Sequence, residues 1–244
     1  MPELRLGTAG WSVSREVAER FAGPGTHLER YARTMNAVEI NSSFYRPHRR
    51  ATYARWAAST PPDFRFSVKI PRVLTQEQRL REPEAGLDRF ASEVEGLGDR
   101  LGAVLVQTPP SLVFDEADAI RFFDAAAARL PVPIAFEPRH ASWFAPEIDA
   151  WLKDRRIARV AADPAPVAGA DAPGGWRGLT YIRLHGAPRI YYSAYAPEAL
   201  AATAARVLRE SAVAPTWCVF DNTAEGYALP NALTVMAASG QEPR

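Results

Sequence analysis

The 244-residue chain carries 29 lysines and arginines against 28 aspartates and glutamates, a formal charge of +1, and 47% of its residues are apolar. That balance argues against a protein that coats nucleic acid or membrane with a broad basic surface, so recognition of an anion has to be local. The length and apolar content fit one large domain spanning residues 1–244.

Eight short apolar runs, each ending in polar or charged residues, lie at Leu4–Gly7, Ala37–Ile40, Phe64–Ile70, Ala103–Gln107, Ile134–Glu137, Ala158–Ala162, Tyr181–His185 and Thr216–Asp221. Strands of a parallel sheet read this way because both of their faces are covered. Helical spacing fills the gaps at His27–Met35, Thr52–Ala58, Leu87–Leu97, Ala117–Leu130, Ile148–Arg155, Pro197–Ser211 and Leu229–Ala238, with Thr26 placed to cap the first and Pro197 suited to a first turn. The alternation predicts an α/β fold, a single (β/α)8 TIM barrel. Two long irregular loops are expected, Pro71–Gly86 after the third strand and Asp163–Gly178 after the sixth. A doubly wound sheet is the rival, but Gly7-Thr8-Ala9-Gly10-Trp11 has the wrong glycine spacing for a dinucleotide turn. No phosphate-binding loop, zinc-protease or nucleophile-elbow motif occurs.

Cys218 is the only cysteine, which rules out a disulfide framework. No charged segment followed by an apolar run opens the chain, and no apolar stretch reaches the roughly 20 residues of a membrane span. A cytoplasmic location is the expectation. Of the 29 basic residues only Lys69 and Lys153 are lysines, so a lysine at a strand end stands out.

If the strands close into a barrel, their C-terminal ends meet at one mouth, where barrel enzymes place their chemistry. Glu137-Pro138-Arg139-His140, with Trp143 and Phe144 close behind, puts acid, base, cation and stacking surface within eight residues. Arg139 can hold an anion bidentately, and Glu137 or His140 can move a proton. In Tyr181-Ile182-Arg183-Leu184-His185, alternation sends Tyr181, Arg183 and His185 to one face. A buried arginine needs carboxylate partners, for which Glu137 and Asp163 are candidates, while His185 near the rim meets the ligand. Glu39 and Asn41 end the second strand, Lys69 the third, Gln107 the fourth, and Asp221 with Asn222 the eighth; Tyr45 and Trp143 offer aromatic surface. Lys69 suits an ion pair or, less often, a Schiff base. The sequence leaves the cofactor unknown, and metal binding is only weakly signalled: the four histidines include no i, i+4 pair, and Lys69, Arg139 and Arg183 would repel a cation.

Taken together, Gly7-Thr8-Ala9-Gly10-Trp11, Val38-Glu39-Ile40-Asn41 with Phe44-Tyr45, Phe66 to Lys69, Gln107-Thr108-Pro109-Pro110, Glu137-Pro138-Arg139-His140 with Trp143-Phe144, Arg183-Leu184-His185-Gly186, and Asp221-Asn222 with Asn231-Ala232 resemble the YecE-like family, a bacterial and archaeal group catalogued as a domain of unknown function. The resemblance covers nearly the full length and implies a TIM barrel, with no established reaction. Members usually carry serine where Ala9 stands and a Thr-His pair where Thr75-Gln76 stands, so Gln76 puts any chemistry of that histidine in doubt. A likeness in barrel shape to metal-dependent apurinic endonucleases has prompted a nucleic-acid suggestion for the family, but the histidine-rich metal cluster of those enzymes is not evident in this sequence.

The leading expectation is a hydrolase-like enzyme that binds an anionic, phosphate-bearing ligand through Arg139, Lys69 and Arg183, with Glu137, His140, His185 and Asp221 handling protons. The rivals are a non-catalytic nucleic-acid or nucleotide binder and a glycosidase-like enzyme using Glu39, Glu137 or Asp163 as a carboxylate pair.

Overall fold

Helix starts follow from local chemistry. Thr26 opens α1 (His27–Ala32) with a capping box: its hydroxyl accepts from Glu29 N, and the Glu29 carboxylate accepts from Thr26 N. Asp115 accepts from Asp118 N at the head of α4 (Glu116–Arg129). Both devices satisfy amides that a first turn leaves bare. Pro146 and Pro197 sit in the first turns of α5 (Pro146–Asp154) and α6 (Pro197–Ser211), where proline sacrifices no hydrogen bond. The remaining helices are α2 (Arg50–Ala58), α3 (Glu84–Val94) and α7 (Ala228–Ala238). The structure, a computed structural model, describes residues 3–241.

The strands are β1 (Leu4–Thr8), β2 (Ala37–Ile40), β3 (Arg65–Lys69), β4 (Leu101–Gln107), β5 (Ile134–Glu137), β6 (Ile157–Arg159), β7 (Ala161–Asp163), β8 (Gly174–Gly175), β9 (Thr180–Leu184) and β10 (Thr216–Phe220). They form a mixed α/β fold with two sheets, ordered β2-β3-β4-β5-β6-β8 and β1-β10-β9-β7. Every pairing is parallel except that of β8 with β6. Among the described residues no single ladder closes through all of the strands, in contrast to the ring expected from the eight runs.

The two seams have identifiable causes. Between β1 and β2, side chains replace the backbone ladder. Asn36 donates to Leu4 O (2.9 Å) and accepts from Leu6 N (2.8 Å), while the Tyr31 hydroxyl accepts from Thr8 N (3.0 Å) and donates to Ala37 O (3.1 Å). Backbone pairing resumes only at the top, where Ala9 and Glu39 form an isolated parallel bridge and Gly10 N donates to Glu39 O at 2.8 Å. Gly7 permits this approach, because a Cβ there would lie 2.2 Å from Ala37 O. The second seam falls in the run Ala158–Ala162, which is not one strand: β6 pairs with β5 and β7 with β9, and the chain changes sheet at Val160.

Strand alternation divides the buried residues between two cores. Ala37, Ala103, Leu105, Ala135, Ala158, Val160, Tyr181, Trp217 and Val219 pack on one another, whereas Val38, Ile40, Val104, Val106, Phe136, Cys218 and Phe220 join the larger cluster under the helices. The first set continues, two residues on, into Glu39, Gln107, Glu137, Arg183 and Asp221. This face is thus small and apolar near the strand starts and ionic at their C-terminal ends.

Of the two irregular loops, Asp163–Gly178 holds only the short β8, while Pro71–Gly86 contains a π-helical turn at Val73–Glu77 and the start of α3. Three 3-10 turns, Arg15–Phe21, Ser42–Phe44 and Ala141–Phe144, have no counterpart in the sequence pattern. Among the described residues no helix is long and apolar enough to cross a membrane.

Candidate functional site

Arg183, fully buried on β9, is the hub of the strand ends. Its Nε and Nη2 donate to the two oxygens of Glu39 at 3.0 and 2.7 Å, Nη1 donates to Glu137 Oε2 at 3.3 Å, and Nη2 lies 3.0 Å from Asp221 Oδ2. The planar fork reaches three carboxylates at once, which a lysine cannot do. His185 is clamped between two of these acids, Nδ1 3.1 Å from Asp221 Oδ2 and Nε2 3.1 Å from Glu137 Oε1. The Glu137 carboxylate also accepts from Gln107 Nε2 at 2.8 Å and pairs with Arg139 Nη2 at 3.0 Å. Tyr181 donates to Glu39 Oε2 at 2.9 Å and meets Ser67 Oγ at 3.0 Å.

Burial and charge set the protonation states. Burial pushes the Glu137 and Asp221 carboxyls up, but the His185 and Arg183 cations outweigh it, so both are lowered, Glu137 well below the usual carboxylate range. Burial opposes the charge on His185, yet Glu137 and Asp221 win and raise it. With both ring nitrogens facing carboxylates, the imidazolium is the form this geometry holds.

Lys69 is buried at the end of β3 with Nζ 3.9 Å from the centroid of the Phe44 ring. Among the described residues Nζ has no hydrogen-bond or ion-pair partner. Burial, followed by the Arg183 cation, pushes its ammonium down to about 8, against the opposing pull of Glu39, Asp221 and Glu137.

Glu39, Lys69, Gln107, Glu137, Arg139, Arg183, His185 and Asp221 therefore come together, while the other candidates take different posts. His140 caps the Ala141–Phe144 turn, accepting from Ser142 N at 3.2 Å, and makes no hydrogen bond to the cluster. Trp143 is core: Nε1 donates to Leu112 O at 2.9 Å and its ring packs on Phe114 and Phe136. Asp163 accepts from Tyr195 Oη at 2.8 Å and is not a partner of Arg183. Asn222 donates to Ser193 O and Asn231 Oδ1. Tyr45 is 69% exposed at the rim, and Asn41 precedes the Ser42–Phe44 turn without capping it. The sequence reading missed Ser67, whose signal was its place in the alternation Arg65, Ser67, Lys69, which puts it on the same strand face as Lys69.

The sealed cluster is flanked by openings at the same strand ends. One cleft of about 300 Å³ is lined by Gly10, Trp11, Asn41 and Tyr45, and another of about 360 Å³ by Phe44, Tyr45, Pro71 and Arg72. A larger cleft of about 620 Å³ lies at the opposite end, beside Leu101 and Leu130 and lined by Glu95, Asp99 and Arg129, away from the Arg183 cluster. Asn41 Oδ1, Thr75 Oγ1, Thr108 Oγ1 and Asn222 Oδ1, all following strand ends, are buried without a hydrogen-bond partner. Among the described residues no group of three or more His, Cys, Asp or Glu is arranged to hold a metal ion.

The same arrangement of elements occurs in solved structures. A DUF72 family protein from Enterococcus faecalis V583 superposes with a TM-score of 0.83 at 21% identity, over 98% of this chain and 96% of that one. One from Thermotoga maritima MSB8 gives 0.79 at 25% identity, over 96% and 98%. In sequence, the UPF0759 protein YecE of Escherichia coli (strain K12) is 30% identical over 151 residues, 59% of this chain and 55% of that protein. The UPF0759 protein YunF of Bacillus subtilis (strain 168) is 26% identical over 149 residues, 59% and 53%. Each match spans about half the length of the relative. The family model described as "Protein of unknown function DUF72" matches residues 5–244, so the YecE-like blocks read from the sequence and the fold agree, and the chain belongs to the DUF72 family.

Proposed function

We propose that the C-terminal rim of the strands is an active site that binds a small anionic, phosphate-bearing molecule and hydrolyses it by proton transfer. The two sheets are read as one (β/α)8-type barrel split at the Asn36–Tyr31 seam and at Val160, which directs all the strand ends to one rim. The observation that carries the proposal is the burial of Arg183 against Glu39, Glu137 and Asp221 with His185 clamped between the last two. Such networks rarely repay their desolvation in stability, and they concentrate where chemistry needs shifted protons.

In this reading Glu137 and Asp221 work as carboxylates that hold His185 protonated, and His185 is the acid. Arg139, whose side chain is 21% exposed, is the outermost cation and meets the anion with Lys69. The unpaired polar atoms of Asn41, Thr75, Thr108 and Asn222 are groups that a ligand would satisfy. A glycosidase needs a protonated carboxylic acid, and the lowering of Glu137 and Asp221 speaks against that role for them. Arg189 stacked 3.8 Å over the exposed Tyr192 ring favours a nucleotide among phosphate-bearing ligands. The buried thiol of Cys218 fits a reducing cytoplasmic setting.

Titration with inorganic phosphate and turnover of p-nitrophenyl phosphate test the proposal. Phosphate should bind, about tenfold more weakly in Arg139→Ala. His185→Gln should keep phosphate binding and lose turnover. A wild-type protein that binds no phosphate, or a His185→Gln variant as active as wild type, would overturn it.

A further inference from the structure

We propose that Lys69 is a covalent amine, whose Nζ, buried at the end of β3 beneath Phe44, condenses with the carbonyl carbon of an anionic aldehyde or ketone to form an imine. This rests on the anion-binding rim argued above and adds a second, covalent activity to it. An ion-pairing lysine would hold a carboxylate, and three carboxylates surround this one electrostatically, yet all three are spent on Arg183. Nζ is left facing an aromatic ring, which stabilises the cation without consuming a donor. Phe44 also lines the cleft of about 360 Å³, so the roof over the amine borders an opening.

The charged groups facing Lys69 are Arg183, Glu39, Asp221 and Glu137. With its ammonium pushed down to about 8, roughly one amine in ten is neutral at pH 7, against fewer than one in a thousand for an ordinary lysine. The reaction balances with one proton drawn from solvent. The amine adds to the carbonyl carbon, forming the C–N bond and breaking the C=O π bond, and one amine proton passes to the oxygen. Solvent supplies the second proton, the C–O bond breaks, and water leaves as the nitrogen lone pair completes the iminium. No electrons change hands, and Glu39, Glu137 and Asp221 are placed to favour the resulting positive charge.

Because the chain has only two lysines, the test carries its own control. The probe is pyridoxal 5′-phosphate, an anionic aldehyde, followed by borohydride reduction, digestion and mass mapping. The expected result is an adduct on Lys69 formed at least about tenfold faster at pH 7 than on the exposed Lys153, the gain in neutral amine outweighing its weaker basicity. Inorganic phosphate should protect Lys69, and Lys69→Arg should abolish the adduct. Modification of Lys153 alone in the native protein, with Lys69 reacting only in urea, would overturn the inference. If phosphate binds by titration and Lys69 stays unlabelled, the imine fails and the anion site stands. If Lys69 is labelled without phosphate protection and phosphate does not bind, the anion site fails and the reactive amine stands.

Discussion

Arg183 and Lys69 are both buried cations, and they should respond to mutation in opposite ways. Arg183 reaches Glu39, Glu137 and Asp221 within 3.3 Å, so Arg183→Met leaves three buried carboxylates short of their shared partner. Breaking a buried pair from one side costs about 3–5 kcal/mol. Arg183→Lys should recover little of it, because an ammonium cannot reproduce the fork. Lys69 holds no such bonds, and folding carries the cost of keeping its charge dry. A lowering from 10.5 to about 8 corresponds to roughly 3 kcal/mol as an upper bound. Lys69→Met, which fills the same space, should therefore stabilise the protein by about 1–3 kcal/mol while weakening phosphate binding. Urea unfolding of the three variants at pH 7 checks both signs, and a Lys69→Met protein less stable than wild type would show that the lysine is a structural tie.

Much of this was legible in the strands and little of it in the joints between them. Seven of the eight runs became strands within three residues of their predicted bounds, because a strand buried on both faces writes itself as an apolar run with a polar end. Alternation likewise placed Tyr181, Arg183 and His185 on one face and made carboxylate partners for Arg183 necessary. It could not choose among the acids: Asp163 sits at a strand end like Asp221, yet its carboxylate is taken by Tyr195. The seams left no periodic mark. Tyr31 reads as one more apolar residue on the face of α1, and its hydroxyl bonds to β1 and β2 are invisible to spacing. Val160 is apolar like its neighbours, so the change of sheet there has no compositional signal. The Tyr31 bridge can be tested directly. Tyr31→Phe keeps the ring and removes a hydroxyl that serves Thr8 N and Ala37 O, leaving a buried amide and carbonyl unpaired at about 1–3 kcal/mol. Faster amide exchange should be confined to Thr8 and its neighbours in β1. A variant as stable as wild type, with unchanged exchange at Thr8, would mean that the seam is held by Asn36 and the Ala9–Glu39 bridge alone.

At the scale of the whole molecule, the network makes stability a function of pH with three separable slopes. Glu137 and Asp221 are held below their ordinary values of 4.5 and 3.8. Their contribution is present above those values and disappears as acid protonates the folded state, so stability falls towards low pH. His185 is raised above 6.5. Its contribution is complete below 6.5 and is lost as pH climbs through the raised folded value, so stability falls again on the neutral side. Lys69 acts in the opposite sense, because its folded value of about 8 lies below the ordinary 10.5. Between those two points the unfolded chain binds a proton that the native one has released, and stability rises by up to about 1.4 kcal/mol per pH unit. The full curve should therefore peak between about pH 4.5 and 6.5, decline above 6.5 as His185 releases its proton, and gain a rising contribution from Lys69 above pH 8. Urea midpoints from pH 4 to 10 would trace it. His185→Gln should remove the neutral decline and keep the alkaline gain, and Lys69→Met the reverse. A decline that survives His185→Gln would place the titrating proton elsewhere and take the imidazolium out of the mechanism.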